Sequence, residues 1–259
     1  MRKILTYQVS EIEPYINWIY FYHAWSLDGK PREEKARLRK EAENVLHSWE
    51  GKVVMRAVFG LYDANSDGDD LLLGGVRIPM LRQQKADSQG APNLCLADFV
   101  RPLSSGIKDR AGAFATTVDL VKVESLQDDP YRKMLLQTLS DRLAEGTAEK
   151  MHEDVRRRYW GYAPHEHLTI QETHLEKYQG IRPAVGYPSL PDASVNFILG
   201  DLLGIKEIGI RLTESGMMIP HASVSGLMFS HPKSRYFDVG KIGEDQLRDY
   251  ARRRGLPIE

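Results

Sequence analysis

Gly180-Ile181-Arg182-Pro183-Ala184-Val185-Gly186-Tyr187-Pro188-Ser189-Leu190-Pro191-Asp192 places three prolines and the turn-forming Gly186 within thirteen residues. Each proline fixes its own φ, removes a backbone donor and pushes the residue before it towards extended geometry. Gly186 admits backbone angles that a side chain forbids. The stretch therefore reads as a stiff loop, not a helix or a central strand, with an arginine at one end and a tyrosine in its middle. An arginine held this way can clamp a carboxylate through two parallel hydrogen bonds. Composition alone favours the plainer reading, a connector bearing a surface arginine.

Working outward, the pattern predicts a helix over Leu168–Tyr178 before the loop and a short apolar helix to Leu203 after it, capped by Asp192. Farther upstream, Asp129 followed by Pro130 is a helix start, a capping carboxylate and then proline in the first turn. Apolar residues then recur every four positions from Tyr131 through Leu135, Leu139, Leu143 and Met151 to Val155 and Tyr159. This predicts a spine helix reaching Trp160, about 45 Å long at 1.5 Å per residue. Leu38, Ala42, Val45, Leu46 and Trp49 keep helical spacing within the charged stretch Glu33–Trp49. The aromatic run Pro14–Trp25 predicts a buried helix or a packed aromatic wall. Glu244–Arg254, with acids first and arginines last before Gly255, predicts a closing helix.

Strands are expected over Lys3–Val9, Val53–Tyr62, Leu71–Leu73, Asn93–Val100, Gly112–Val123, Ile208–Leu212, Val224–Phe229 and Tyr236–Val239. Between the second and third of these lies Asp63-Ala64-Asn65-Ser66-Asp67-Gly68, which begins like a calcium-binding loop. Gly74 stands where the bidentate carboxylate is required, so the segment reads as a hairpin turn. His165, His167 and His174 read as a surface turn before a helix; no metal is expected. Helices and strands do not alternate strictly, which points to a single α+β domain, residues 1–259, with a mainly antiparallel sheet.

Composition is ordinary for a globular chain: 42% hydrophobic, 27% charged and a formal net charge of −1. That charge gives no reason to expect nucleic acid or an anionic membrane as partner. The lone Cys95 excludes an internal disulfide and a multi-cysteine metal site. No segment approaches a membrane span, and the reading is of a cytoplasmic protein. Dinucleotide and phosphate loops, the nucleophile elbow and the zinc-protease motif are all absent. A hydrolase triad could be assembled from His221, Ser223 and some aspartate, but such residues occur in any chain of this size.

The chain as a whole resembles the activation domain of cobalamin-dependent methionine synthase. The segments that carry the resemblance include Pro14-Tyr-Ile-Asn-Trp18, Leu81-Arg-Gln-Gln84, Cys95-Leu-Ala-Asp-Phe-Val100 and Gly112-Ala-Phe-Ala115. Further on come Asp141-Arg-Leu-Ala-Glu145, Tyr159-Trp-Gly-Tyr-Ala-Pro164, Tyr178-Gln-Gly-Ile-Arg-Pro183, Ala222-Ser-Val-Ser-Gly226, Phe229-Ser-His-Pro232 and Asp249-Tyr-Ala-Arg-Arg253. They follow the family's order over almost the full length. The resemblance implies a C-shaped α+β unit with a twisted antiparallel sheet and flanking helices.

It also implies S-adenosylmethionine as ligand and cobalamin carried by a partner, a methionine synthase module acting in trans. A flavodoxin-type donor would supply the electron for reductive methylation of cob(II)alamin. Carried over by residue, Arg182 holds the ligand carboxylate, with Ala184 and Gly186 supplying loop backbone. Asn17 meets the ligand amino group, Tyr236 and Phe237 contact the adenosine, and Tyr187 lies between the methyl donor and the corrin as the catalytic position. Asp141, Glu145 and Glu176 face the ligand or the cobalamin module. Asn17 stands where the family usually has aspartate, which removes the charge from that hydrogen bond. Ile19-Tyr20, Ser189-Leu190 and Ile219-Pro220-His221 also depart from the family pattern. These departures motivate an alternative, a docking partner of a corrinoid protein without methyl transfer. An independent methyltransferase is a weaker third reading.

Overall fold

The computed structural model describes residues 1–86, 88–120 and 129–257. β1 (Arg2–Tyr7), α1 (Val9–Ile12), α2 (Trp18–Ala24) and α3 (Arg32–Trp49) lead into β2 (Val54–Asp67), β3 (Asp70–Leu73) and β4 (Val76–Pro79). After β5 (Asp109–Asp119) come α4 (Pro130–Asp154), α5 (Ile170–His174) and α6 (Val195–Leu203). β6 (Arg211–Leu212), β7 (Met218–Ile219), β8 (Ser223–Met228) and α7 (Glu244–Arg254) follow.

The main sheet is antiparallel, in the order β4-β3-β2-β5-β8, with β1 also paired to β2. β2 is the axis: β5 pairs along one edge from Val54 to Ala64, while β1 and then β3 share the other. Side chains alternate across the curled sheet with the period of two that a strand imposes. Met55, Ala57, Phe59 and Leu61 of β2, Phe114 and Val118 of β5 and Met228 of β8 pack under α3 and α4. Val58, Ala111, Ala113, Ala115 and Leu227 face the other way, onto α6 and the turn around Leu96–Phe99. The result is an α+β fold with helices on both faces of one antiparallel sheet, as the sequence implies.

α4 forms where the cap and the apolar row place it. Asp129 accepts a hydrogen bond from the Arg132 N–H, and Leu135, Leu139, Leu143, Thr147 and Met151 are all buried. It is shorter than expected, because Val155–Tyr159 form a π turn in which the Trp160 N–H donates to the Val155 carbonyl. That turn directs Arg156 inward, where its side chain is 0% exposed and forks onto Glu166 at 2.6–3.1 Å.

His152, one turn earlier, is fully buried, and neither ring nitrogen has a hydrogen-bond partner among the described residues. Burial, then the Arg156 charge, hold its pKa well below the ordinary 6.5. Below that pH the unfolded chain takes a proton that the folded state refuses, so stability falls as pH falls. His152→Met is expected to remove a slope of about 1.4 kcal/mol per pH unit on the acid side. Denaturant midpoints of both proteins, followed from neutral pH into the acid range, check this; parallel profiles would place the acid sensitivity elsewhere.

Several local expectations are corrected. Val9 starts α1 and does not extend β1. Asn93–Val100 contains a 3-10 turn, Leu96–Phe99, because Asp98 reaches back to the Cys95 N–H at 2.8 Å and closes the chain locally. The helix expected over Leu168–Tyr178 is only Ile170–His174; Leu175 ends it and Glu176 takes a left-handed φ of 55°. Asp192 caps the Ser194 N–H, one position before the helix, and ties Tyr250 and Arg254 to that corner. Ile208 ends a 3-10 turn, leaving only Arg211–Leu212 as strand. In the aromatic run Phe21 is buried, but Ile19 and Tyr20 are exposed. Tyr236–Val239 is not a strand, since Phe237 spends its backbone bonds on the Ser189 hydroxyl. Val121–Val123, the end of one expected strand, lie outside the described residues.

The acidic hairpin is a tight turn between β2 and β3, and its carboxylates face cations. Asp67 and Asp70 pair with Arg77, Asp69 with Arg82, Asp70 also with Arg253, and Asp63 with Lys108. Among the described residues no helix is long and apolar enough to cross a membrane.

Candidate functional site

The stiff loop runs beside β8 as an added, irregular strand. Ile181 and Phe229 exchange both backbone bonds, Val185 N–H donates to Ser225, and Leu227 N–H donates to Pro183. Gly226 makes this approach possible: a Cβ there would stand 2.1 Å from the Pro183 oxygen and 2.8 Å from the Ala184 Cα. At the loop tip Gly186 takes φ 88°, and Gly186 and Leu190 close a turn with Tyr187 at its apex. Ser189 fastens the tip to its neighbour by hydrogen-bonding both the carbonyl and the N–H of Phe237. The Val239 N–H donates to Pro188 on the same side.

Between this loop, α4 and α2 lies a cavity of about 780 Å³. Asn17, Glu145, Glu176, Arg182, Ala184, Tyr187, Tyr236 and Phe237 all line it, so residues scattered over most of the chain converge on one space. Gly186 and Asp141 do not line it. Gly186 shapes the loop tip, and Asp141 lies one helical turn from Glu145, its carboxylate 3.2 Å from Nδ1 of the exposed His221.

Arg182 is buried to 8% exposure. Its backbone N–H donates to the Tyr236 hydroxyl at 2.9 Å, and its guanidinium lies 5.5 Å from the centre of the Phe114 ring. One guanidinium nitrogen donates to Glu149 on α4, itself 15% exposed. Glu149 is one of several lining residues that sequence reasoning missed, with Tyr20, Arg142, Tyr178 and Asp238. The signal for Glu149 was present: Asp141, Glu145 and Glu149 repeat every four residues and so share one helix face. Tyr187 is half exposed, and its hydroxyl donates to Glu145 at 2.6 Å. Burial, then the Glu145 charge, push the Tyr187 phenol far up, so it stays protonated. Asn17 caps α2, its amide oxygen accepting from the Ile19 N–H at 3.1 Å. Glu176 stands at the mouth, where desolvation pushes its carboxyl up from 4.5.

The chemistry of the lining is distinctive. Tyr20, Tyr178, Tyr187, Tyr236 and Phe237 give aromatic surface for a flat ring. Among the described residues, the carboxylates of Glu145, Glu149, Glu176 and Asp238 outnumber the guanidiniums of Arg142 and Arg182. Such a lining favours a ligand with an aromatic end, a carboxylate and a surplus of positive charge.

The family model for the vitamin B12 dependent methionine synthase activation domain matches residues 8–255. Among solved structures, the crystal structure of the MetH reactivation domain bound to AdoHcy is 41% identical, with a TM-score of 0.92. The match covers 100% of this chain and 87% of that one. With a family match over nearly the full length, and a curled antiparallel sheet superimposing on that domain, the chain belongs to the activation-domain family of vitamin B12 dependent methionine synthase.

Proposed function

We propose that the protein binds S-adenosylmethionine in the 780 Å³ cavity and supports reductive methylation of cob(II)alamin held by a separate methionine synthase module. The observation that carries this reading is the buried Arg182, on a rigid loop, opening into an aromatic and acid-rich cavity. In this reading Arg182 receives the ligand carboxylate, Tyr236 and Phe237 take the adenosine, and Ala184 and Gly186 shape the loop backbone around it. The ligand supplies a methyl group on a positively charged sulfur, and the acidic lining favours that charge.

Tyr187 stands at the exposed tip of the loop, oriented by Glu145, and so at the boundary between the cavity and an incoming corrin. Its raised phenol pKa keeps the hydroxyl protonated, so that it is not itself a phenolate nucleophile towards the methyl group. Asp141, Glu145 and the exposed Tyr20 offer contacts to the cobalamin module around the same opening. An electron from a flavodoxin-type donor balances the step: cob(II)alamin gains one electron and the methyl, and S-adenosylhomocysteine leaves. The related MetH structure, solved with AdoHcy, supports the choice of ligand.

The test is reconstitution of a cob(II)alamin-loaded methionine synthase module with reduced donor, labelled S-adenosylmethionine and this protein. Labelled methylcobalamin is expected. Docking without label transfer favours the alternative of a corrinoid-binding partner, and consumption of S-adenosylmethionine without any corrinoid protein favours an independent methyltransferase.

Gly226→Ala probes the loop's seat from β8, at a residue that does not itself line the cavity. Its methyl must displace Pro183 and Ala184, at an overpacking cost of about 1–3 kcal/mol. The expected result is a lower melting temperature together with weaker S-adenosylmethionine binding by calorimetry. Unchanged affinity would show that the loop is not positioned by β8.

A further inference from the structure

We infer that Asp238 is a specificity-determining residue, whose carboxylate reads a hydrogen-bond donor on the nucleoside half of the bound ligand. The inference rests on the cavity being the S-adenosylmethionine site. Asp238 directly follows Tyr236 and Phe237, the pair assigned to the adenosine, and lines the cavity with them. Exposure alternates along this segment: Phe237 and Val239 are buried, whereas Tyr236 is half-buried and Asp238 exposed. Tyr236 and Asp238 therefore share the open side, and a ligand resting on the tyrosine has access to the carboxylate.

The segment is held in place by the protein itself. Ser189 bonds both backbone groups of Phe237, the Gln83 side-chain amide donates to the Asp238 carbonyl at 3.0 Å, and the Val239 N–H donates to Pro188 at 3.1 Å. The side chain is aimed as well, because Oδ1 accepts from the Gly240 N–H at 2.7 Å. Among the described residues Oδ2 has no hydrogen-bond partner, which leaves an oriented acceptor at the cavity. An ionised carboxylate can only accept. A nucleoside offers it donors at two places, the ribose hydroxyls and the purine amino group, and a bond to either is charge-assisted. The other lining acids have different work: Glu145 holds the Tyr187 hydroxyl, Glu149 holds Arg182, and Glu176 stands at the mouth after α5. A site built on such a bond discriminates against an analogue that lacks the donor.

The experiment titrates three ligands into the wild type and Asp238→Ala by calorimetry. They are S-adenosylhomocysteine, its analogue without the two ribose hydroxyls, and its analogue with the purine amino group replaced by hydrogen. None carries the sulfonium charge, so a loss is not due to attraction between Asp238 and that centre. The wild type is expected to discriminate against one analogue by about tenfold, and Asp238→Ala to abolish that discrimination by weakening S-adenosylhomocysteine by the same factor. Which analogue loses its disadvantage tells whether the donor is a ribose hydroxyl or the purine amine. Wild-type affinities in Asp238→Ala would overturn the inference, and so would an equal weakening of all three ligands, which marks a merely structural role. If the wild type does not bind S-adenosylhomocysteine, the reading of the cavity fails and this inference with it. Should Asp238→Ala not fold, Asp238→Asn keeps the shape without the charge and should reduce the discrimination; an unchanged discrimination there overturns the inference equally.

Discussion

Arg182→Ala is expected to reduce S-adenosylmethionine affinity by about 100-fold or more, the scale of truncating one member of a buried, hydrogen-bonded charge pair. The arginine sits in a loop pinned on both sides, by β8 through Ile181, Pro183 and Val185, and by Tyr236 through the Arg182 N–H. Little order is therefore lost on binding, and the guanidinium is already turned into the cavity. Its removal takes away the carboxylate clamp and leaves Glu149 as an unpaired buried anion, so the melting temperature should fall as well. Arg182→Lys keeps the charge but loses the fork and should show an intermediate loss. Calorimetry on all three proteins, with thermal unfolding to confirm the fold, reads both effects. Wild-type affinity in Arg182→Ala would place the ligand carboxylate elsewhere.

Arg156→Leu carries the largest expected effect on stability. Its side chain is completely buried, Glu166 opposite is 9% exposed, and the guanidinium lies 4.1 Å from the centre of the Tyr178 ring. Removing the arginine strands a buried carboxylate, at a cost of about 3–5 kcal/mol. For a chain of this size that lowers the melting temperature by about 10 °C. Replacing both charges, Arg156→Leu with Glu166→Leu, should recover much of the loss, because no uncompensated charge remains. Denaturant unfolding of the two variants measures the difference; a double variant no better than the single would mean that the contact with Tyr178, not the charge pair, is what matters. Tyr178 walls the ligand cavity, so Arg156→Leu should also weaken binding.

Much of the candidate site was legible from motifs. Arg182, Tyr187, Glu145 and Glu176 lie within recognisable segments, and the structure brings them together with Asn17, Tyr236 and Phe237 around one cavity. What escaped was partnership. Nothing in the order of residues says that Arg182 meets Glu149, that Tyr187 donates to Glu145, or that the Asn17 oxygen is committed to a helix cap. Those meetings depend on where α4 lies against β8, and charges distant in sequence choose partners only once packing has set their distances.

The sequence by itself determined the elements whose signals are local. Asp129-Pro130 and a four-residue apolar row make α4, the short run from Val224 makes β8, and three prolines with Gly186 make a stiff loop that is neither a helix nor a regular strand. Only the tertiary structure decided segments whose backbone bonds go to distant side chains. Tyr236–Val239 has strand-like composition, yet it is held as an irregular segment by the Ser189 hydroxyl and the Pro188 carbonyl. It also decided the length of the spine, because the buried Arg156–Glu166 pair accompanies a π turn where the four-residue repeat alone continues the helix. Propensity and periodicity act within a few residues, whereas a buried charge or an orphaned backbone group is satisfied by whatever the fold places beside it.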